Sequence, residues 1–143
     1  MNDPVTSYAE VEAFALTLPE TSSSPSYGGA PALRVNKKLF ARLRGEMADD
    51  VDDLTGEPFG EVLMVGVQDL GEKEALLSDD PRAYFTVAHY DGYPAVLVRL
   101  RFADLTELRE LLTEAWRRAA PKRALRAYGE SGGRVPGDAS TQP

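Results

Sequence analysis

The stretch from Asp79 to Arg101, DDPRAYFTVAHYDGYPAVLVRLR, gathers four tyrosine or phenylalanine rings, the only histidine of the chain and a β-branched strand pattern. Rings crowded beside a strand mark a structural centre, because aromatic side chains bring the largest buried area per residue. Pro94 breaks the ladder at Tyr93-Pro94, having no N–H to donate. From Ala95 to Arg101, alternation predicts a strand with Val96, Val98 and Leu100 facing inward and Arg99 and Arg101 outward. Pro81 is suited to open a short helix, where a missing N–H costs nothing.

Downstream, Asp104 stands three residues before Glu107, the spacing of a helix cap. Leu105, Leu108, Leu112, Ala115, Trp116 and Ala119 then form the apolar stripe of a long helix. Pro121 bends or ends it. Arg117, Arg118, Lys122, Arg123 and Arg126 suit the negative end of that helix's dipole. From Gly129 onward, GESGGRVPGDASTQP has no apolar face to bury and predicts a mobile tail, which leaves residues 1–128 as one domain.

Upstream, Glu61 to Val67 is apolar at nearly every position and reads as a central strand, followed by a short helix at about Glu72 to Leu77. The Gly, Pro and Asp content of GEMADDVDDLTGEPFG, residues 45–60, predicts an extended acidic loop. Leu33 to Val35 and Lys38 to Leu43 form a hairpin in which Asn36 takes the positive φ of a tight turn, although Lys37 is a weaker choice there than glycine. Alternation along its second strand puts Leu39, Ala41 and Leu43 on one side, with Lys38, Phe40, Arg42 and Arg44 on the other. The preceding TSSSPSYGGAP reads as a loop. Before it, Ser7 and Glu10 have capping-box spacing, and Val11, Phe14, Ala15 and Leu18 make the buried stripe of a first helix that Pro19 ends.

With 143 residues, 43% hydrophobic and 27% charged, the composition fits one soluble domain rather than a disordered or membrane chain. No apolar run approaches the roughly 20 residues that span a bilayer, and no export signal is visible, so the cytoplasm is the expected compartment. The absence of cysteine excludes disulfides, thiolate nucleophiles and cysteine-bound metal centres. Charge is segregated: residues 1–32 carry four acids and no base, Leu33 to Gly45 five bases and no acid, and Glu46 to Asp80 twelve acids against Lys73. A net charge of −7 repels phosphate at long range, so nucleic acid is a plausible partner only where bases share a face that acids leave free.

Three segments in order, RVNKKLFARL (34–43), DPRAYFTVAHYDGYPAVLVRL (80–100) and ELRELLTEAWRRAAPKRAL (107–125), resemble the small bacterial MmcQ/YjbR proteins. The resemblance runs from about Thr6 to Leu125. It implies a frataxin-like α+β fold, an antiparallel sheet with helices packed on one face, and DNA binding through a double-wing arrangement. Two departures stand out. The family pattern usually has glycine in the hairpin turn where Asn36-Lys37 stands, and the acidic segment Glu46 to Glu57 is longer than usual.

If helices cover one side of the sheet, Arg34, Lys38, Phe40, Arg42, Arg44, Arg99 and Arg101 are left for an open, basic side. Guanidinium groups there make bidentate contacts to phosphate, and Phe40 among them is placed to stack on a base. Lys37 at the hairpin tip, with Lys122 and Arg123, would be auxiliary phosphate contacts. The competing expectation is a cleft near Tyr27, His89 and Tyr93 for a small anionic ligand or a protein partner. The rings at Tyr84, Phe85, Tyr90 and Tyr93 otherwise serve as core, and a lone histidine as a hydrogen-bonding residue. Asp49, Asp50, Asp52, Asp53 and Glu57 offer oxygen ligands to a hard cation, and a frataxin-like fold suggests iron. Leu54 and Thr55 break the EF-hand spacing, which leaves weak metal handling at most and no defined metal site. Neither Ser7 nor Ser22 to Ser26 sits in a G-x-S-x-G context, and Gly28 and Gly29 lack P-loop or dinucleotide spacing. The expectation is a non-enzymatic module without a cofactor.

Overall fold

The structure, a computed structural model, describes residues 6–130. Its six-stranded antiparallel sheet runs in the order β1 (Thr21–Pro25), β2 (Pro31–Val35), β3 (Lys38–Leu43), β6 (Val62–Gly66), β8 (Ala95–Arg99), β7 (Tyr84–Phe85). A separate two-residue ladder, β4 (Val51–Asp52) with β5 (Glu57–Pro58), lies within the acidic segment. The helices are α1 (Tyr8–Ala15), α2 (Leu70–Asp79), α3 (Leu105–Ala119) and α4 (Lys122–Glu130). The α+β class and the single helical side follow the sequence reading.

Local chemistry sets the helix starts. Ser7 and Glu10 form a reciprocal capping box on α1, while Asp69 and Asp104 accept from the backbone N–H three residues into α2 and α3. One face of the sheet packs against α1 and α3. There Val11, Phe14, Leu108, Leu112 and Trp116 meet Leu33, Ala41, Leu63, Val65, Val96 and Val98 in one continuous core. Trp116 is fully buried and its Nε1–H donates to the Pro19 carbonyl at 3.1 Å, so the largest side chain of the core leaves no polar atom unmade.

Four departures from the sequence reading have local causes. The serine-rich stretch is an edge strand, β1, not a loop, because β2 offers it a complete ladder from Thr21↔Val35 to Pro25↔Pro31. Pro81 opens a turn rather than a helix, since Tyr84 and Phe85 extend to pair with Val98 and Leu97. The chain resumes helix after Pro121 as α4, which takes in Lys122, Arg123, Gly129 and Glu130; the rest of the expected tail, 131–143, lies outside the described residues. Finally, a β-bulge shifts the hairpin register: Leu33 faces Ala41 but Arg34 faces Leu39. Phe40 is the extra residue, and it turns into the helix-side core, 3% exposed.

That bulge overturns the simple alternation along β3. Lys38, opposite Val35, belongs to the helix side, and Leu39 shares the other side with Arg34 and, through Met64, Arg42. The other side is not a bare sheet either. Met47 and Phe59 from the acidic segment, with Phe85, Val87 and Tyr90, close over Val62, Met64, Ala95 and Leu97 to form a second core. Phe59 stacks on Phe85 at 5.2 Å between centroids.

Candidate functional site

The non-helical side has a closed end and an open end. At the closed end, near β4 and β5, every sequence-predicted arginine meets a carboxylate. Arg99 is 7% and Asp52 2% exposed, and they are joined at 2.5 Å (Nε–Oδ2) and 3.0 Å (Nη2–Oδ1). This fork also lies 4.3 Å from the Phe85 ring centroid and donates to the carbonyls of Pro81 and Arg82. All of its directions of approach are occupied. The hydrogen bonds from Arg99 hold the Asp52 carboxyl below its ordinary range, against the opposing push of burial.

Glu46 bridges two of the remaining arginines, accepting from Arg42 Nη2 at 2.9 Å and Arg44 Nε at 2.5 Å. Partial burial pushes the Glu46 carboxyl up, but the two arginines and its own backbone outweigh it and set it at about 2. Arg44 also lies 5.2 Å from the Tyr90 ring centroid, with its Nη1 buried and without a hydrogen-bond partner among the described residues. Arg101 meets Glu57 at 3.5 Å on the surface. The expectation of an open basic face through Arg42, Arg44, Arg99 and Arg101 therefore fails for a physical reason: Glu46, Asp52 and Glu57 of the long acidic segment fold back onto it. Phe40, being in the helix-side core, offers no ring to stack.

At the hairpin end the picture reverses. Arg34 is half-buried beside Leu39, and its Nη1 donates to Ser24 Oγ at 3.4 Å. Lys37 and Lys38 are exposed, and among the described residues no ion pair involves Arg34, Lys37, Lys38 or Lys122. The tip that carries them is a tight turn with Asn36 at φ 50° and Lys37 at φ 71°. Both lie in the left-handed region that glycine occupies most cheaply, so a lysine there is held against its preference. The end of α3 joins this region where Arg118 donates to the Gly66 carbonyl at 3.1 Å. Arg123, by contrast, forks onto Glu20 at 2.7 Å through both Nε and Nη2.

Beside the hairpin, an open cleft of about 630 Å³ is lined by Leu39, Met64 and residues 89–93. It brings together His89 and Tyr93 of the expected ligand cleft; Tyr27 stands in the turn 27–29, and its side chain lies outside what the structure describes. The His89 ring meets Tyr90 edge-on at 5.1 Å, and Tyr93 is 55% exposed. Sequence reasoning missed the residue that shapes this rim. Lys73 of α2 is 6% exposed and its Nζ donates to the carbonyls of Tyr90 (2.6 Å) and Tyr93 (3.0 Å), which fixes the loop from behind. The signal was its isolation, one base among twelve acids in residues 46–80. Among the described residues, no three His, Asp or Glu side chains converge as metal ligands would. No helix among them is long and apolar enough to cross a membrane.

A family model described as YjbR matches residues 16–118. The uncharacterized proteins Rv2570 of Mycobacterium tuberculosis and Mb2600 of Mycobacterium bovis are each 46% identical over 99 residues, covering 66% of this chain and 77% of theirs. The crystal structure of Deinococcus radiodurans protein DR2400, with a domain called DUF419, superposes with a TM-score of 0.61 over 90% of this chain and 92% of that one. At 17% identity this is a likeness of fold.

Proposed function

This chain belongs to the YjbR family, and we propose that it is a non-enzymatic nucleic-acid-binding protein that touches phosphate around the hairpin end, with Arg34 on the non-helical side, Lys37 at the tip and Lys38 on the helix side as its contacts and Lys122 of α4 as an auxiliary one. The supporting observation is the division of the candidate cations: those near the acidic segment are paired, those at the hairpin are not. Unpaired cations are the ones that can release counterions when phosphate arrives. With few contacts and a net charge of −7, binding is weak, sequence-independent and strongest at low salt.

The test is a titration with labelled duplex DNA at several salt concentrations. Replacing Arg34, Lys37 and Lys38 together by Ala lowers the slope of log K against log salt by about 0.9 for each phosphate no longer neutralised. The same replacement at Arg42 leaves the slope unchanged. No binding of either duplex or single-stranded nucleic acid at low salt removes the proposal.

The cleft supports a second reading, a small anionic ligand lying against Tyr93 and Leu39 with its charge turned toward Arg34, the cross-strand partner of Leu39. A thermal-shift panel of such compounds tests it, because a ligand of the folded state alone must raise Tm.

A further inference from the structure

We propose that the cleft beside the hairpin seats an unpaired nucleobase, so that the chain takes single-stranded nucleic acid in preference to duplex. This rests on the phosphate-binding reading of the hairpin end and adds a partner class to it.

Two large side chains lining this cleft are left to water: Tyr93, 55% exposed, and Leu39, 37% exposed. Met64 forms part of the lining between them and is 9% exposed. Elsewhere on this side of the sheet rings are covered, as Phe59 and Phe85 cover each other. Tyr93 is instead presented on a loop that a buried cation anchors, since Lys73 holds the carbonyls of both Tyr90 and Tyr93. Its ring leans on that of Tyr90, 5.9 Å away between centroids, and an exposed ring on an anchored loop is a stacking platform with less ordering entropy left to lose. Gly92, at φ 75°, lets the loop turn between Tyr90 and Tyr93 in a conformation that side-chain-bearing residues rarely adopt.

The charges say where the backbone of such a ligand runs. Arg34 is the cross-strand partner of Leu39 and faces the same side, while Lys37 is at the adjoining tip. Asp91, in the 89–93 loop that lines the cleft, repels phosphate. A strand with its phosphates along Arg34 and Lys37 thus turns a base toward Tyr93, while His89 and Asp91 offer polar atoms to the base edge. A duplex keeps its base faces stacked on each other and cannot make this contact.

The experiment compares three ligands of equal length by fluorescence anisotropy at low salt: oligothymidine, an abasic strand of the same phosphate backbone, and a duplex. Oligothymidine is expected to bind about tenfold tighter than either of the others. Tyr93→Ala should close the gap between oligothymidine and the abasic strand, and Tyr93→Trp should keep it open. Oligouridine in place of oligothymidine tells RNA from DNA. Equal affinity for the oligothymidine and abasic strands overturns the stacking site but leaves the hairpin contact standing. A gap that survives Tyr93→Ala also overturns it, and no binding of any ligand removes both.

Discussion

Arg34, Arg42, Arg44 and Arg99, all predicted for one face, belong to two ends of the same sheet side, with Lys37 at the hairpin tip beside Arg34, and the ends differ in kind. At the closed end Arg42, Arg44 and Arg99 have carboxylates within 3 Å, and Arg99 and Asp52 are buried. At the open end Arg34 and Lys37 have none among the described residues. Strands at both ends carry basic residues, Arg34 on β2 as much as Arg99 on β8, so basic residues on a strand do not by themselves make an anion site. What decides is whether another segment of the chain delivers carboxylates to them, and here the segment 46–57 reaches only one end. The closed end is a piece of folding architecture, and the open end is available to a ligand.

The largest effect that sharpens this contrast is at Arg99. Arg99→Ala leaves Asp52 buried without its partner and is expected to cost about 3–5 kcal/mol, read as a lower urea midpoint. Replacing both partners by apolar residues of similar size should recover most of that loss. Arg34→Ala, at the open end, should change stability by less than about 0.5 kcal/mol. Equal losses at the two sites would erase the distinction.

A second change breaks the contrast on purpose. Glu46→Gln removes the charge that neutralises Arg42 and Arg44 and should convert part of the closed end into an open one. Polyanion affinity at low salt should then rise severalfold, with a steeper salt slope. The same pair gives a pH signature. The Glu46 carboxyl lies at about 2 in the folded protein, below its unfolded value, so its contribution is complete above about pH 4.5 and is lost as pH falls toward 2. Because Glu46 is over one-third exposed, screening keeps this contribution to about 1 kcal/mol or less. Acid unfolding curves of wild type and Glu46→Gln should therefore converge below about pH 2.

Much of this fold was legible in residues 7–119. The capping box at Ser7, the hairpin turn at Asn36-Lys37, the buried strand within Glu61 to Val67 and the stripe from Leu105 to Ala119 are local signals, set by hydrogen bonds and periodicities within a few residues. The site was less legible because its deciding facts are non-local. Asp52 and Arg99 are 47 residues apart, and nothing in either neighbourhood announces the pair. The bulge at Phe40 depends on register against β2, so strict alternation placed Leu39 on the wrong side of the sheet. Lys73 offered a weak compositional hint, but the carbonyls it holds lie 17 and 20 residues away.

The smallest effect tests whether the open end has been kept open against stability. Lys37 sits at φ 71°, where a side chain is disfavoured and glycine is not. Its ammonium has no ion-pair partner among the described residues to compensate. Lys37→Gly should therefore stabilise the fold by up to about 1 kcal/mol, since relief of the left-handed strain outweighs the greater freedom glycine has when unfolded. If the lysine is there to meet phosphate, the same substitution should lower the salt slope of binding by about 0.9. Stability and affinity then move in opposite directions from one substitution. A functional residue in an unfavourable backbone conformation produces that pattern, and an incidental surface lysine does not. A Lys37→Gly protein that is more stable and binds with an unchanged slope would move the phosphate contact away from the hairpin tip, to the remaining cations Arg34, Lys38 and Lys122.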